Sequence, residues 1–278
     1  MKGLIFDIQR GSFVDGDGVR TTVFFKGCSL RCKWCHNPEG IGKGRQMLYY
    51  KSKCHGCQKC VQVCENQGKE CTLCGKCTTF CPADARQICG EEYSHGELLS
   101  IILRDRELYS QTGGGVTFSG GECVLQIDFL EEILKACKKE GINTAVDTAG
   151  NVPTEYIRRI LPYVDTFLYD IKCVDSELHR QFTGCSNSLI LENLDYLCQS
   201  GACVVVRVPV VVGFNANDGE MNRIFELLSG KIIHRVELLP YHRLGEHKYE
   251  GIGLVPLAFD TPSEEQMKKY NKMLGEKL

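Results

Sequence analysis

The stretch Cys28-Ser-Leu-Arg-Cys32-Lys-Trp-Cys35 carries three cysteines at the spacing C-x3-C-x2-C, and no fourth follows to close a tetrahedral site. A structural zinc needs four protein ligands. Three thiolates can instead hold three irons of a 4Fe–4S cube and leave the fourth iron open to a small molecule. A second group of cysteines comes next. Cys54, Cys57, Cys60 and Cys64 are spaced C-x2-C-x2-C-x3-C, and Cys71, Cys74, Cys77 and Cys81 repeat that spacing 17 residues further on. Zinc could use Cys54 and Cys57 with Cys71 and Cys74, but the other four would then have no role. Of the 18 cysteines, 11 fall between Cys28 and Cys81. The chain opens without the apolar run of a secretory signal, so this density reads as metal ligation before disulfide bonding. The remainder (Cys89, Cys123, Cys137, Cys173, Cys185, Cys198 and Cys203) is expected to pack as small buried hydrophobes.

Something must hold these groups in place. A β-branched and aromatic run at 21–25 reads as a buried strand that ends just before Cys28. Further strands are predicted at 115–118, 143–146, 166–169, 203–207 and 236–239, with helical patterns at 96–104, 127–137, 189–197 and 221–228, one opening at Pro153 and a polar one at 263–277. Apolar strands separated by helices form parallel sheets buried on both faces. Six such units predict an α/β fold, a partial (β/α)6 barrel, with an open doubly wound sheet as the alternative. Residues 47–92, which contain the repeat, interrupt the pattern as an inserted module, leaving 1–46 and 93–278 as the barrel.

Each strand end delivers a chemically capable group. Cys28 follows the first strand, Gly120, Gly121 and Glu122 the second, Asp147 with Thr148 the third, and Asp170 and Lys172 the fourth. Arg207 closes the fifth and His242 follows the sixth. In barrels of parallel strands this rim is where active sites are assembled. The glycine-rich run at 113–121 lacks the Gly-Lys-Ser/Thr ending of a phosphate loop, so that chemistry is set aside.

Bulk composition excludes other classes. Hydrophobic residues make up 43%, charged residues 24% and the net charge is −2, so no nucleic-acid or membrane-surface partner is expected. No run is long and apolar enough to span a bilayer. A cytoplasmic monomer is the expectation.

The spacing in the insert resembles that of bacterial two-cluster ferredoxins, in which the fourth cysteine of each run ligates the other cluster. The resemblance pairs Cys54, Cys57 and Cys60 with Cys81, and Cys71, Cys74 and Cys77 with Cys64. The motif at Cys28, Cys32 and Cys35 resembles the signature of the radical S-adenosylmethionine superfamily. The segment 15–39, with Ser119-Gly-Gly-Glu122, Asp147-Thr-Ala-Gly150, Tyr169-Asp-Ile-Lys172 and 239–248, is similar to the activating enzymes of glycyl radical enzymes. The likeness is to the subgroup with a two-cluster insert rather than to the shorter pyruvate formate-lyase activase. Asp17 stands where the family's Asp-Gly-Pro-Gly motif has proline.

That resemblance implies three 4Fe–4S clusters and reductive cleavage of S-adenosylmethionine at the first. The resulting 5′-deoxyadenosyl radical would take a hydrogen from a backbone glycine of a partner enzyme. It implies that the Gly120–Gly121 backbone and Glu122 receive the methionyl ammonium, and that Lys172, Arg207 and His242 serve the carboxylate and ribose. Trp34, His36 and Asn37 would line the adenosine pocket, although Trp34 suits core packing equally. A monovalent cation is implied beside Asp147, Thr148 and Asp170. The glycyl radical enzyme is the expected protein partner, contacted through residues 15–20, and flavodoxin or ferredoxin the electron donor. Two rivals are a radical enzyme acting directly on a small molecule and an electron-transfer protein with no chemistry of its own.

Overall fold

Each of the six apolar runs becomes a strand in the computed structural model, which describes residues 1–66 and 69–277. Positions 67 and 68 of the expected insert, and position 278 of the expected barrel, lie outside the described residues. In chain order the strands are β1 (Lys2–Ser12), β2 (Arg20–Phe25), β3 (Gln46–Tyr49), β4 (Arg86–Cys89), β5 (Glu91–Ser94), β6 (Gly115–Gly120), β7 (Asn143–Thr148), β8 (Thr166–Asp170), β9 (Val204–Val210) and β10 (Arg235–Pro240). The helices are α1 (Lys59–Gln62), α2 (Lys76–Thr79), α3 (His95–Ile102), α4 (Arg106–Thr112), α5 (Ile127–Lys139), α6 (Thr154–Ile160), α7 (Ser176–Thr183), α8 (Ser188–Gln199), α9 (Asp218–Leu228), α10 (His247–Gly251) and α11 (Glu264–Lys277).

The main sheet runs β10-β9-β8-β7-β6-β2-β1-β5. Its pairs from β2 through β10 are parallel, the six-stranded α/β arrangement expected. β1 and β5 add an antiparallel edge that the apolar pattern did not announce. β2 and β10 do not pair with each other, so the barrel is partial. The chain between β1 and β2 bridges the gap instead. Arg207 on β9 donates to the Val14 carbonyl at 2.8 Å, and Arg235 on β10 pairs with Asp17 at 3.0 Å. These contacts require the sheet to curl, and they give Asp17 a structural use where the resembled family has proline.

The two faces of the parallel strands differ. Val23, Phe25, Val116, Phe118, Val146, Phe167, Tyr169, Val206 and Val208 belong to the main core, packed with the apolar stripes of the helices. On α5 that stripe is Ile127, Leu130, Ile133, Leu134 and Cys137, a helical period of burial. Alternate strand residues point the other way. Thr22, Thr117, Ser119, Asp147, Asp170 and Arg207 are among them, with Phe24, Ala145, Leu168 and Val205, so the concave face carries polar and charged groups among apolar ones although the strands read as apolar throughout. α3 starts on a capping box: Ser94 Oγ accepts from the Glu97 N–H at 3.3 Å while Glu97 Oε2 accepts from the Ser94 N–H at 2.8 Å.

In the insert, β3 and β4 pair antiparallel and enclose α1 and α2. The 17-residue repeat is visible in the backbone. Gln58 and Gly75, with φ of 57° and 81°, precede the two helices, and Gly56 and Leu73, with φ of 68° and 55°, lie two residues earlier. Glu91 and Glu92 already pair with β1 in the main sheet. Of the scattered cysteines, Cys89, Cys123, Cys137, Cys173 and Cys198 are buried as expected. Cys203 is exposed and Cys185 only half-buried, a correction: Cys203 precedes β9 at the chain's turn into the sheet, and Cys185 sits in the turn after α7.

Candidate active site

The loop carrying Cys28, Cys32 and Cys35 is held on every side. Its start is fixed by the Gly27 N–H on the Gly40 carbonyl at 2.7 Å and the Cys28 N–H on the Ile41 carbonyl at 3.1 Å. The Arg31 and Lys33 N–H groups donate to Thr183 and Phe182 carbonyls at the end of α7, at 2.7 and 3.0 Å. From the C-terminal side, the Tyr249 hydroxyl donates to the Cys35 carbonyl at 3.0 Å and Lys248 to Asn37 Oδ1 at 2.6 Å. Behind the loop, Gly121 packs so closely that a Cβ would meet the Gly27 and Gly40 carbonyl oxygens at 2.4 and 2.7 Å. The glycine there makes room for protein backbone, whatever else it allows.

One cavity of about 300 Å³ opens at the C-terminal ends of the parallel strands. Cys28, Cys32, Cys35, Trp34, His36, Asn37, Gly120, Gly121, Asp147, Thr148, Asp170, Lys172 and His242 all line it, brought there by the ends of β6, β7, β8 and β10 and the loop. Two expected residues do not. Glu122 lies behind the wall, where it accepts from the Thr148 hydroxyl at 2.7 Å and the Ala149 N–H at 3.1 Å. Arg207 is turned to Glu237 on β10 at 3.1 Å. Ser119, Leu239, Pro240 and Tyr241, which lie in segments that carry the family likeness but were given no site role, line the cavity too. Ser119 could have been read from its place before Gly120; the others carry no chemical signal and are found only by the strand register.

The electrostatics follow from burial. Burial pushes the Asp147 carboxyl up to about 6; Arg207 opposes the rise and Asp170 adds to it, while Ser119 donates to it at 2.7 Å. Burial likewise pushes Glu122 up to about 7, against the bonds it accepts. Lys172 pairs with Asp170 at 2.8 Å. Burial opposes its charge, yet Asp170, which also accepts its hydrogen bond, outweighs that and holds the ammonium above its ordinary range, as the Cys32 and Cys28 sulfurs would further do once ionised. Burial, with Lys248 and His242, lowers His36 to about 4, so its ring is neutral at pH 7 and stands edge-on to His242 with centroids 4.8 Å apart. Trp34 packs on Phe214 with ring centroids 4.3 Å apart and also lines the cavity. Burial pushes the Cys28 and Cys35 thiols up to about 12, so binding a metal there must displace protons.

Two smaller cavities lie in the insert. One, of about 20 Å³, is lined by Cys54, Cys57, Cys60 and Cys81 together with Tyr49 and Arg86. The other, of about 30 Å³, is lined by Cys64, Cys71, Cys74 and Cys77. Among the described residues no three His, Cys, Asp or Glu side chains close on a single-ion position; the cysteines ring volumes rather than points.

A curled parallel sheet with a three-thiol loop at its carboxyl rim defines a class, and the comparisons name it. The model of the radical SAM superfamily matches residues 71–228. The trans-4-hydroxy-L-proline dehydratase activating enzyme of Clostridioides difficile is 39% identical over 290 residues, covering 98% of this chain and 96% of that protein. The choline trimethylamine-lyase activating enzyme of Oleidesulfovibrio alaskensis is 41% identical over 271 residues, covering 91% and 87%. Among solved structures, a domain of a pyruvate-formate lyase-activating enzyme from Bacteroides vulgatus is 32% identical with a TM-score of 0.51, covering 59% of this chain and 94% of that domain. The chain belongs to the radical SAM superfamily, within it to the activating enzymes of glycyl radical enzymes.

Proposed function

We propose that this chain activates a glycyl radical enzyme by generating a glycine-centred radical on it, with S-adenosylmethionine as co-substrate. The observation that carries the reading is the single cavity in which the C-x3-C-x2-C thiols meet Gly121, Asp147, Asp170, Lys172 and His242. The donor set fits: soft thiolates suit an iron–sulfur cluster, and three of them leave one iron open. Held by Cys28, Cys32 and Cys35, that cluster would supply the one electron that splits the S–C5′ bond into methionine and a 5′-deoxyadenosyl radical, which would end as 5′-deoxyadenosine after taking the glycine Cα hydrogen. The chain's residues bind and orient. The Gly120–Gly121 backbone and Lys172 would hold the methionyl group, and Trp34, His36, Asn37 and His242, which line the same cavity, would serve the adenosine. Glu122 acts from behind the wall by fixing Thr148. Asp147 and Asp170, whose mutual repulsion helps raise Asp147, are where a monovalent cation fits.

We extend the reading to residues 47–92 as a ferredoxin-like module with two further 4Fe–4S clusters. The grouping of cysteines around two cavities supports it, as do the paired left-handed turns 17 residues apart. A flavodoxin or ferredoxin would feed them. A cytoplasmic monomer completes the proposal; among the described residues no helix is long and apolar enough to cross a membrane. The two relatives above are named for different partners at nearly equal identity, so overall likeness does not choose the partner. The seam between β2 and β10 is a natural entry for its glycine loop, because Phe13 and Val14 are 77% and 78% exposed there.

The test is electron paramagnetic resonance on the anaerobically reconstituted chain mixed with S-adenosylmethionine, a reductant and each of several glycyl radical enzymes. A persistent glycine-centred doublet in one of them supports the reading and identifies the partner. Steady 5′-deoxyadenosine formation with no doublet in any, but consumption of an added small molecule, would overturn it.

A further inference from the structure

A short helix joins the insert to the cavity. On one side of α10, Glu250 accepts from the Ser52 N–H at 2.7 Å and from the Ser52 hydroxyl at 2.5 Å. Ser52 stands two residues before Cys54, which lines the first cysteine cavity. Next to Glu250, a Cβ on Gly251 would come within 2.7 Å of the Tyr50 ring, so glycine is what lets the helix and the insert meet this closely. On its other side α10 grips the three-cysteine loop. Tyr249 donates its hydroxyl to the Cys35 carbonyl at 3.0 Å, and Lys248 reaches Asn37 at 2.6 Å and Glu39 at 3.4 Å. Around the second cysteine cavity, Lys76 pairs with Glu65 and Asn66 donates to the Glu70 carbonyl.

We propose that the site of Cys54, Cys57, Cys60 and Cys81 is the one that passes the electron to the Cys28, Cys32 and Cys35 site, with Glu250 and Tyr249 as the positioning residues that couple the two. The inference rests on the reading of the insert as a two-cluster module. The electron count is simple. A low-potential protein donor of the flavodoxin or ferredoxin class is oxidised by one electron, the first insert site takes up and releases it, and the Cys28 site is reduced by one. A continuous path exists from Cys54 through Lys53 to Ser52, across the two Ser52–Glu250 hydrogen bonds, along the backbone to Tyr249 and across its hydroxyl to Cys35. Electron tunnelling weakens exponentially with distance and with gaps between bonded atoms, so hydrogen bonds that hold the two sites in register act directly on the transfer rate.

The experiment uses the anaerobically reconstituted holoenzyme mixed rapidly with reduced flavodoxin and freeze-quenched, the paramagnetic signal of the reduced Cys28-site cluster being followed in time. Tyr249→Phe and Glu250→Ala are expected to slow its appearance at least several-fold, while a chemical reductant restores its full amplitude and total iron is unchanged. Glu250→Gln, which keeps one acceptor for Ser52, should recover part of the rate. Spin–spin broadening of the signal by a neighbouring reduced cluster should vanish in Cys57→Ala and persist in Cys74→Ala. Wild-type rates in both α10 variants overturn the proposal, as does broadening that depends on Cys74 and not Cys57. Iron for only one cluster in the wild-type protein removes the two-cluster reading itself, and the route falls with it.

Discussion

Arg20 belongs to the glycine-rich segment expected to touch the partner, yet the structure gives it an internal task. It is 2% exposed, at the start of β2 beneath the barrel. Its guanidinium donates to Thr117 Oγ1 at 2.6 Å, the Val116 carbonyl at 2.7 Å, Asn143 Oδ1 at 3.1 Å and the Asp17 carbonyl at 3.2 Å. A single side chain therefore ties β2 to β6 and β7 and closes the loop that bridges to β10. No carboxylate faces it directly; burial lowers its pKa to about 10, and it remains charged at neutral pH. Arg20→Ala leaves two or three buried acceptors without donors, at roughly 1–3 kcal/mol each before water re-enters, so a net loss of about 2–4 kcal/mol is expected. For a chain of this size each kcal/mol moves Tm by about 2–4 °C, which makes the shift roughly 5–15 °C. Arg20→Lys should recover only part, because three donors on one point cannot span acceptors on two strands and the bridging loop. The assay is anaerobic thermal unfolding of the reconstituted protein, run beside partner-free 5′-deoxyadenosine formation per folded molecule. If Tm stays within a degree or two of wild type while radical transfer to the partner disappears, Arg20 reads the partner and the closure argument is wrong.

Other outcomes follow from the same contacts. Asp15 accepts from the Ser12 and Thr22 hydroxyls at 2.6 and 2.7 Å, beside the exposed Phe13 and Val14. Asp15→Ala should lower glycyl radical yield on the partner much more than partner-free cleavage, and an equal loss of both would contradict a docking role. Replacing Cys57 by alanine should depress cleavage driven by a protein donor far more than cleavage driven by a chemical reductant; parallel losses would point to a purely structural insert. Glu122 has a folded pKa near 7 against an ordinary 4.5. Between those values the folded chain holds a proton that the unfolded chain has released, so its contribution to stability is lost as pH rises through that window, by roughly 3 kcal/mol at most. Glu122→Gln should flatten this part of the stability–pH curve in the absence of S-adenosylmethionine, and an unchanged slope would refute the assignment. Gln58 and Leu73 hold left-handed backbone at φ of 57° and 55°. Their replacement by glycine should stabilise the insert by about 0.5–1 kcal/mol each, read as slower hydrogen exchange in α1 and α2.

Much of this was legible in the chain because different signals agreed. The cysteine spacings were explicit, and the apolar runs placed six strands whose ends all meet one cavity. What stayed hidden has a physical pattern. β1 and β5 are the antiparallel strands at one side of the sheet, with one partly exposed face, and their alternation is too weak to stand out beside buried parallel strands. Glu122 and Arg207 sit at the right strand ends, but strand position does not say which way a side chain turns. Glu122 closes back on Thr148 of the next strand, and Arg207 sits in register with Glu237 on β10 and Asp170 on β8. Both stand next to the cavity and act on it through other residues.

The concave face carries charge where the helix-facing side does not. Thr22, Thr117, Ser119, Asp147, Asp170 and Arg207 alternate with the helix-facing Val23, Val116, Phe118, Val146, Tyr169 and Val206, a period-two pattern. A complete barrel of this diameter fills its interior with apolar layers. Here the interior holds charges, which are stable only when paired or solvated, and the pairs are on hand: Asp170 with Lys172, Arg207 with Glu237, Asp17 with Arg235. Asp147 is the member left with only a serine hydroxyl as donor and a raised pKa. The incompletely neutralised point of the interior thus lies at the cavity floor, which is where a cationic co-substrate or a bound cation lowers the free energy most.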